Sequence, residues 1–528
     1  MPGREVDESA SISSGPPGAV SALLDPPGRP VVPAGRPDGD DGHSVTAAHF
    51  ETTGLLPDRV TARRRRNRAR RVLLVAPPVG AFLFAELLLL TAALIDGRAR
   101  YFLEPAHWAR YDSGIYLRIA VHGYNLTPCA GPAYPPHSWC GTAGWAPLYP
   151  GLIAFFGHLG LSLPVAGMLL TMAFAYGTLQ ALWVLIGPAW SFERLSCLAL
   201  GACFPGMVYL YAIFPVSLLT LLSVLCLLCF VRRRFLLAGC MGALAAWAFA
   251  TGPLLALVLL VAALLVERGP DLWRVVARTA GVVAAGFVAL LLLYQVWVGD
   301  WRAYFMTSAK YGDGLHDPVA TFVTSFTGRP LALYALQDPN AGYQHLVPKL
   351  QTAFVAALVI GLVVWTLRRR PVARFDRVLL SYTVVVWIVP LLAGASLSRY
   401  RMEALLLPSA ALCTRLPRVV LVPLVAVSAV LAIGLAIRLG LDWAAMDSHS
   451  SEVLASKQIE LKALEFQTAP LRGLDQRVEK SRQQMQAFDQ KRIPANYSLI
   501  SSRIGDLEVA SGVRLSRVQY TQGKRTRV

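Results

Sequence analysis

The chain has 528 residues, of which 55% are hydrophobic and only 16% are charged. This composition excludes an ordinary soluble fold, and together with long apolar runs it predicts an integral membrane protein. The formal net charge of +18 does not indicate nucleic-acid binding, because the basic residues fall in short clusters between apolar runs. Such clusters are typical of cytoplasmic loops, where they set the orientation of membrane spans.

The first 62 residues are rich in proline, glycine, aspartate and serine and have almost no periodic apolar pattern. A segment of this kind cannot bury enough surface to fold, so we expect a disordered cytoplasmic tail. Seven arginines between Arg63 and Arg71 follow it, and we place the boundary of the tail after them, at residues 1–71. No small-residue cleavage site follows the next apolar run, so we expect no cleavable signal peptide.

Apolar runs recur from Val72 to about Leu439, and we interpret each as a crossing of a hydrocarbon core of about 30 Å. When every basic cluster is placed in the cytoplasm, the pattern predicts eleven spans with the N-terminus inside. The predicted spans are 72–95, 162–187, 195–210, 215–231, 235–250, 253–266, 275–298, 348–367, 378–397, 402–414 and 417–439. We interpret residues 147–163 as interfacial or re-entrant. The predicted fold is an all-α polytopic membrane bundle, residues 72–440, in the cell membrane.

A polar segment lies between the first two predicted spans and is extracytoplasmic in this topology. It places Asp112 among Arg110, Arg118 and His122, and charges beside a membrane helix are costly unless they serve a function. The alternative interpretation is that Asp112 is a solvated acid in a loop, without a function.

Two cysteines lie in the same external loop, with ten residues between them in a Pro/Gly-rich stretch. A disulfide between Cys129 and Cys140 is favoured over a zinc site, because no His/Cys cluster with metal spacing accompanies them. We expect no metal and no cofactor.

Two later external segments are also candidates. The loop 299–347 mixes aromatic and charged residues, among them Lys310 and His316. It either covers a substrate or is an interfacial connector with an aromatic belt. The second segment is Arg399-Tyr400-Arg401, directly before a late predicted span.

Residues from about 100 to 410 resemble the PIG-V type mannosyltransferases, which have a GT-C fold and use a polyprenyl-phosphate sugar as donor. The resemblance is carried by four segments in order, namely the Asp112 segment, Trp145–Pro150, Phe214–Ser217 at the start of a helix, and Ser398–Arg401. It implies a GT-C-like helical bundle with an active site at the outer membrane face. The chain departs from the family pattern at Tyr111, where many members have tryptophan, at Leu218, where a glutamate is frequent, and at residues 250–253, where Arg-Pro-Thr-Gly is expected.

The resemblance also implies roles for the residues. An inverting transfer needs a carboxylate as general base, for which we select Asp112. The departing lipid phosphate needs guanidinium groups; we assign it Arg399 and Arg401, followed by Arg110 and Lys310. Further substrate contacts are predicted for Tyr111, Arg118, His122, Tyr400 and His316. Arg399 has the alternative interpretation of an interface anchor. The expected partners are the donor, a glycan, glycolipid or protein acceptor, and membrane lipids, with no nucleic acid; the sequence specifies neither the sugar nor the acceptor.

The composition changes after the last predicted span, to glutamine, glutamate, lysine and arginine over residues 441–528. A seven-residue row of apolar side chains, Leu464, Leu471, Val478 and Met485, predicts a coiled coil that is interrupted near Pro470. A second helix is predicted over about 495–511, with Gly512 as its stop.

This tail resembles the periplasmic part of PilO-type pilus alignment proteins, with their α/β domain truncated, and an unrelated helical tail is the alternative. It supports a second class of function, a membrane-anchored pilus scaffold with a coiled-coil partner. A third class, a lipid-linked-sugar transporter, predicts inverted repeats and charges within spans. We find no such repeat, and we interpret the spans as nearly charge-free.

Overall fold

The structure is a computed structural model that describes residues 56–109, 112–129, 137–309, 314–327, 342–394, 399–440, 473–492, 497–514 and 516–517. The chain divides into two units, Met1–Arg64 and Arg65–Val528. The spans, the candidate site and the described part of the tail belong to the second unit. The predicted disorder of residues 1–55 lies outside the described residues.

The described chain is predominantly helical. Its α-helices of four or more residues up to the last span are Leu56–Ile95, Pro105–Trp108, Ser113–His122, Leu148–His158, Leu163–Ile186, Phe192–Ala202, Val208–Tyr211, Val216–Val231, Phe235–Ala248, Leu254–Val266, Asp271–Val298, Ala303–Ala309, Pro318–Thr327, Gly342–Arg368, Arg374–Leu392, Arg399–Met402 and Arg418–Gly440. Asp271–Val298 includes a π-helical turn at Ala277–Gly281.

Six helices in the described ranges are long and apolar enough to cross a membrane, consistent with a multi-pass membrane protein. They are Asn67–Ile95, Leu163–Ile186, Asp271–Val298, Leu346–Arg368, Arg374–Leu392 and Arg418–Gly440. Three more predicted spans correspond to shorter apolar helices, Val216–Val231, Phe235–Ala248 and Leu254–Val266. The structure therefore does not confirm eleven spans. At 1.5 Å per residue, a helix of 13 to 16 residues reaches only about 20–24 Å.

The first helix begins earlier than predicted. It starts at Leu56 and runs without interruption to Ile95, so residues 56–71 are helical rather than disordered. Alanine, arginine and leucine have high helix propensity, which outweighs the absence of an apolar face in the arginine cluster.

Two consecutive prolines lie inside this helix, and the second long helix compensates for them. Pro77 and Pro78 have no N–H groups, so the carbonyls four residues earlier lose their intrahelical donors. The indole N–H of Trp183 donates to the Leu73 carbonyl at 2.8 Å, and the Gln180 amide donates to the adjacent carbonyl at 3.2 Å. Because unsatisfied carbonyls are costly in a membrane, these bonds stabilise the pairing of the two helices.

The innermost element is a 3₁₀ helix over Glu403–Arg415, where the sequence predicted the span 402–414. All side chains from Glu403 to Cys413 are buried. It packs against Arg374–Leu392, Phe192–Ala202 and Val216–Val231. We refer to Glu403–Arg415 as the central 3₁₀ helix.

The first external loop contains a short hairpin. Leu126–Pro128 pairs antiparallel with Trp139–Gly141, so that Thr127 lies opposite Cys140. The sulfur atoms of Cys129 and Cys140 lie at bonding distance, 2.00 Å. Behind the hairpin, Leu148–His158 has 11 residues and is about 16 Å long, too short to cross a membrane alone.

The described tail consists of two helices, Leu474–Arg492 and Tyr497–Ser511. The second confirms the predicted helix, and Gly512 directly after it has the positive φ of +68° expected of a helix stop. On the first, Val478 and Met485 of the predicted apolar row are exposed, and so is the nearby Phe488. Leu464 and Leu471 lie outside the described residues.

Candidate active site

Asp112 stands directly before the short helix Ser113–His122 but does not cap it. Aspartate at this position normally accepts a hydrogen bond from the first helical N–H groups. Here the carboxylate makes no capping bond. The neighbouring Ser113 hydroxyl instead donates to the Ile213 carbonyl at 2.8 Å, and the Ile213 N–H donates to the Trp108 carbonyl at 2.8 Å. These bonds tie the backbone on both sides of Asp112 to a distant part of the chain.

Tyr116, one helical turn after Asp112, is the centre of an aromatic cluster that joins the predicted segments. Its ring is only 1% exposed. It packs edge-on against Tyr149 at 5.7 Å and against Phe214 at 5.5 Å, centroid to centroid. The structure thus brings together the Asp112 segment, Trp145–Pro150 and Phe214–Ser217. Burial, reinforced by the Asp112 carboxylate, raises the pKa of Tyr116 well above its ordinary value, so its phenol stays neutral.

Arg401 brings the fourth segment to the same point. Its NH1 lies 3.7 Å from Oδ2 of Asp112, although 288 residues lie between the two in the sequence. Burial raises the pKa of Asp112 above its ordinary value, and the Arg401 guanidinium opposes that rise. The side chains are 37% and 19% exposed, respectively. The site is therefore a partly solvated carboxylate with a guanidinium at ion-pair distance.

The segment that carries Arg401 is held from behind by buried polar groups. The amide of Gln351 donates to the Tyr400 carbonyl and to the Glu403 carboxylate, both at 2.8 Å. The guanidinium carbon of Arg438 lies 5.3 Å from the centroid of the Tyr400 ring. Tyr400 is 3% exposed, so in this structure its ring packs inside the protein. The prediction that it contacts substrate stays a prediction.

The other predicted site residues are placed as follows. Arg118 and His122 are exposed on the helix that follows Asp112. His316 is also exposed. Its backbone N–H donates to the carbonyl of Leu392, at the end of a long helix, at 2.8 Å. Arg399 begins the helix Arg399–Met402, but its side chain lies outside the described part. Arg110, Tyr111 and Lys310 also lie outside the described residues.

Sequence reasoning missed four charged or polar groups in the helical bundle. Arg438 is fully buried in the last span, Glu403 is 2% exposed and Gln351 is 0% exposed. Glu86 lies within the first span, and its Oε1 has no hydrogen-bond partner among the described residues. The interpretation of the spans as nearly charge-free overlooked Arg438 and Glu86. Their positions inside apolar runs were a usable signal, because ionisable residues there are costly.

Within the described ranges, no group of three His, Cys, Asp or Glu side chains is arranged to hold a metal ion. At Asp112 the described residues supply one carboxylate, the Arg401 guanidinium and aromatic rings.

A comparison with known protein-family models finds no match, and a comparison with curated proteins finds none either.

Proposed function

We propose that the chain is a membrane glycosyltransferase, most simply a mannosyltransferase, that moves a sugar from a polyprenyl-phosphate donor to an extracytoplasmic acceptor with inversion. The observation that carries the proposal is the 3.7 Å approach of Arg401 to Asp112. It supplies a carboxylate base beside a phosphate-binding cation, the two groups that such a transfer requires. Four sequence segments with a resemblance to one enzyme family meet at this point.

In the proposed reaction, the acceptor hydroxyl oxygen attacks the anomeric carbon of the donor sugar from the face opposite the phosphate. The hydroxyl proton passes to Asp112 as the new C–O bond forms. The bond between the anomeric carbon and the phosphate oxygen breaks, and polyprenyl phosphate leaves with the electron pair. Arg401 stabilises the negative charge that develops on it. The raised pKa of Asp112 suits this role, because a base is more effective when its pKa lies nearer the working pH.

Arg401 can pair with two anions, the Asp112 carboxylate and the donor phosphate. This links donor binding to the strength of Asp112 as a base. Without donor, Arg401 favours the ionised form of Asp112. When the donor phosphate pairs with the Arg401 guanidinium, the attraction between Arg401 and the Asp112 carboxylate weakens. The proton affinity of Asp112 then increases. The base is therefore strengthened when its substrate is in place.

The proposal includes a sidedness. The arginine clusters favour a cytoplasmic N-terminus, and with eleven crossings the Asp112 segment and the tail would both lie outside. An impermeant maleimide should label a cysteine introduced at Ser481 in intact cells. Labelling only after lysis contradicts this sidedness.

The decisive assay uses purified full-length protein and compares a polyprenyl-phosphate sugar with a nucleotide sugar as donor. We expect turnover with the lipid-linked donor only, lost in Asp112→Asn. Asp271→Asn is the matched control, because Asp271 is 71% exposed and pairs with Arg274 within its own helix. Turnover with nucleotide sugar alone refutes the class of donor.

A second candidate function is that of a membrane-anchored scaffold in the manner of pilus alignment proteins. The exposed side chains of Val478, Met485 and Phe488 favour it, because an uncovered apolar row on a polar helix suits a second helix. A scaffold needs only one anchor helix and gives no role to the Asp112 site. Glycosyl transfer without the tail and association through the tail can therefore be tested separately. A transporter is the remaining alternative: Glu86 and Arg438 supply charges within spans, but no inverted repeat accompanies them.

A further inference from the structure

A cavity of about 460 Å³ opens far from Asp112, where Leu163–Ile186 ends and Phe192–Ala202 begins. Phe375 forms another wall, together with Thr414 and Arg415 at the end of the central 3₁₀ helix. Arg401 lies just before the other end of that 3₁₀ helix. The cavity is therefore separate from the candidate active site. Its volume falls within the range of small-molecule sites, about 300–1,000 Å³.

Arg194 lines this cavity and has no acidic partner among the described residues. Its guanidinium donates to the Gly187 carbonyl, which holds the side chain against the end of the preceding helix. In the part of the chain that the structure describes, no carboxylate lies within 4 Å of this guanidinium. A guanidinium carries five N–H donors, and one bond to a carbonyl leaves most of them available. A half-buried cation in this condition is suited to an anion from outside the chain.

Arg415 supplies a second guanidinium. Its Nε forms an ion pair with Oδ1 of Asp376 at 3.8 Å, which is beyond hydrogen-bond distance, so the pairing compensates charge without occupying an N–H donor. Among the described residues that line the cavity, Glu193 is the one carboxylate, and it is already bonded to Arg418 at 2.9 Å. The charge of Glu193 is therefore compensated by Arg418, whereas Arg194 and Arg415 keep N–H donors for a ligand.

The remaining walls identify the kind of anion. Leu185, Ile186 and Phe375 are apolar, and a small inorganic ion would leave most of the cavity empty. The cavity lies at the ends of membrane helices, beside clusters of arginine that the sequence assigns to the cytoplasmic surface. Forked guanidinium donors match phosphate geometry.

We propose that this cavity binds the phosphate group of a membrane amphiphile, with Arg194 and Arg415 as donors and the apolar wall against the part of the ligand next to the phosphate. The inference does not depend on the proposed glycosyltransferase activity, because none of its residues takes part in that site.

The test is native mass spectrometry of the purified full-length chain with dihexanoyl phosphatidylglycerol, with dihexanoyl phosphatidylcholine, and with inorganic phosphate as competitor. We expect phosphatidylglycerol to bind more tightly than phosphatidylcholine. Arg194→Gln and Arg415→Gln should each weaken its binding by about tenfold or more, the usual effect of removing a charge-assisted hydrogen bond. Arg232→Gln is the matched control, because Arg232 is exposed and does not line the cavity.

Competition by inorganic phosphate supports recognition of the phosphate alone, and lack of competition together with variant-sensitive lipid binding assigns recognition to the whole headgroup. Equal weakening in all three arginine variants overturns the proposal in favour of surface attraction, as does binding that no variant changes. Arg194→Gln also removes the bond to Gly187 and disturbs that helix end. Arg415→Gln keeps the test decisive in that case, since its side chain is 50% exposed.

Discussion

The pH dependence of transfer is the most direct consequence of the pair formed by Asp112 and Arg401. The base must be ionised to act, so activity falls as the pH drops through its pKa. Because burial raises that pKa, the acid limb should lie above the ordinary range for aspartate. Arg401 favours the ionised form, so Arg401→Gln should move the acid limb to still higher pH.

The size of this effect follows from the distance. Two unit charges 3.7 Å apart attract by about 1 kcal/mol in bulk water and by about 4 kcal/mol at an effective dielectric constant of 20. Both side chains are partly exposed and solvent screens them, so the lower part of this range, about 1–2 kcal/mol, is appropriate. In Arg401→Gln the acid limb should move to higher pH by the number of pH units that corresponds to this free energy, at about 1.4 kcal/mol per unit.

The assay is the initial rate of transfer at donor concentrations well below saturation, which reports the pKa of the free enzyme, between pH 4 and pH 8, a range of about four units that brackets the acid limb. Arg100→Gln is the control, because this exposed arginine stacks on Tyr101 at 4.5 Å. An acid limb that stays in place in Arg401→Gln, or moves to lower pH, refutes the assignment of Asp112 as the base that Arg401 faces.

Other expected outcomes concern the base, the helix pairing and the tail. Asp112→Asn should lower turnover by about 10²- to 10⁴-fold without loss of membrane insertion; a variant with normal turnover removes the residue from the chemistry. Trp183→Phe should lower the free energy of unfolding in detergent by about 1–3 kcal/mol, because the Leu73 carbonyl loses its donor, whereas Trp190→Phe, at an exposed ring, should have little effect; equal values contradict the capping role. Deletion after about Asp447 should preserve transfer, and an inserted but inactive product contradicts independence of the tail. Val478→Asp with Met485→Asp should abolish tail-mediated association in sedimentation measurements.

The helical membrane class could be predicted from the sequence because it depends on apolar runs, which are local. The number of spans could not, because hydropathy does not distinguish a helix that crosses the membrane from one that packs inside the bundle. The segment 402–414 illustrates this limit. Its side chains from Glu403 to Cys413 are buried inside the bundle, and hydropathy gives no signal of its 3₁₀ geometry.

For the candidate site, the sequence indicated Asp112 and Arg401 separately, each beside a predicted span. Their pairing depends on how distant segments fold together. Gln351 could not be predicted as a support for Tyr400, because it has no local pattern that distinguishes it from an ordinary polar residue near the start of a predicted span. Arg438 and Glu86 had a local signal, a charge inside an apolar run, which the overall count of charges concealed.

The central 3₁₀ helix also has a consequence for distances along the molecule. Thirteen residues at 2.0 Å each make a rod of about 26 Å, whereas the same residues in an α-helix would measure about 20 Å. Arg401 lies just before one end of this rod, and Arg415 is the last residue at the other. Its winding therefore sets the spacing between the two arginines. An α-helical winding of the same segment would bring them about 6 Å closer along the axis without altering any charged group.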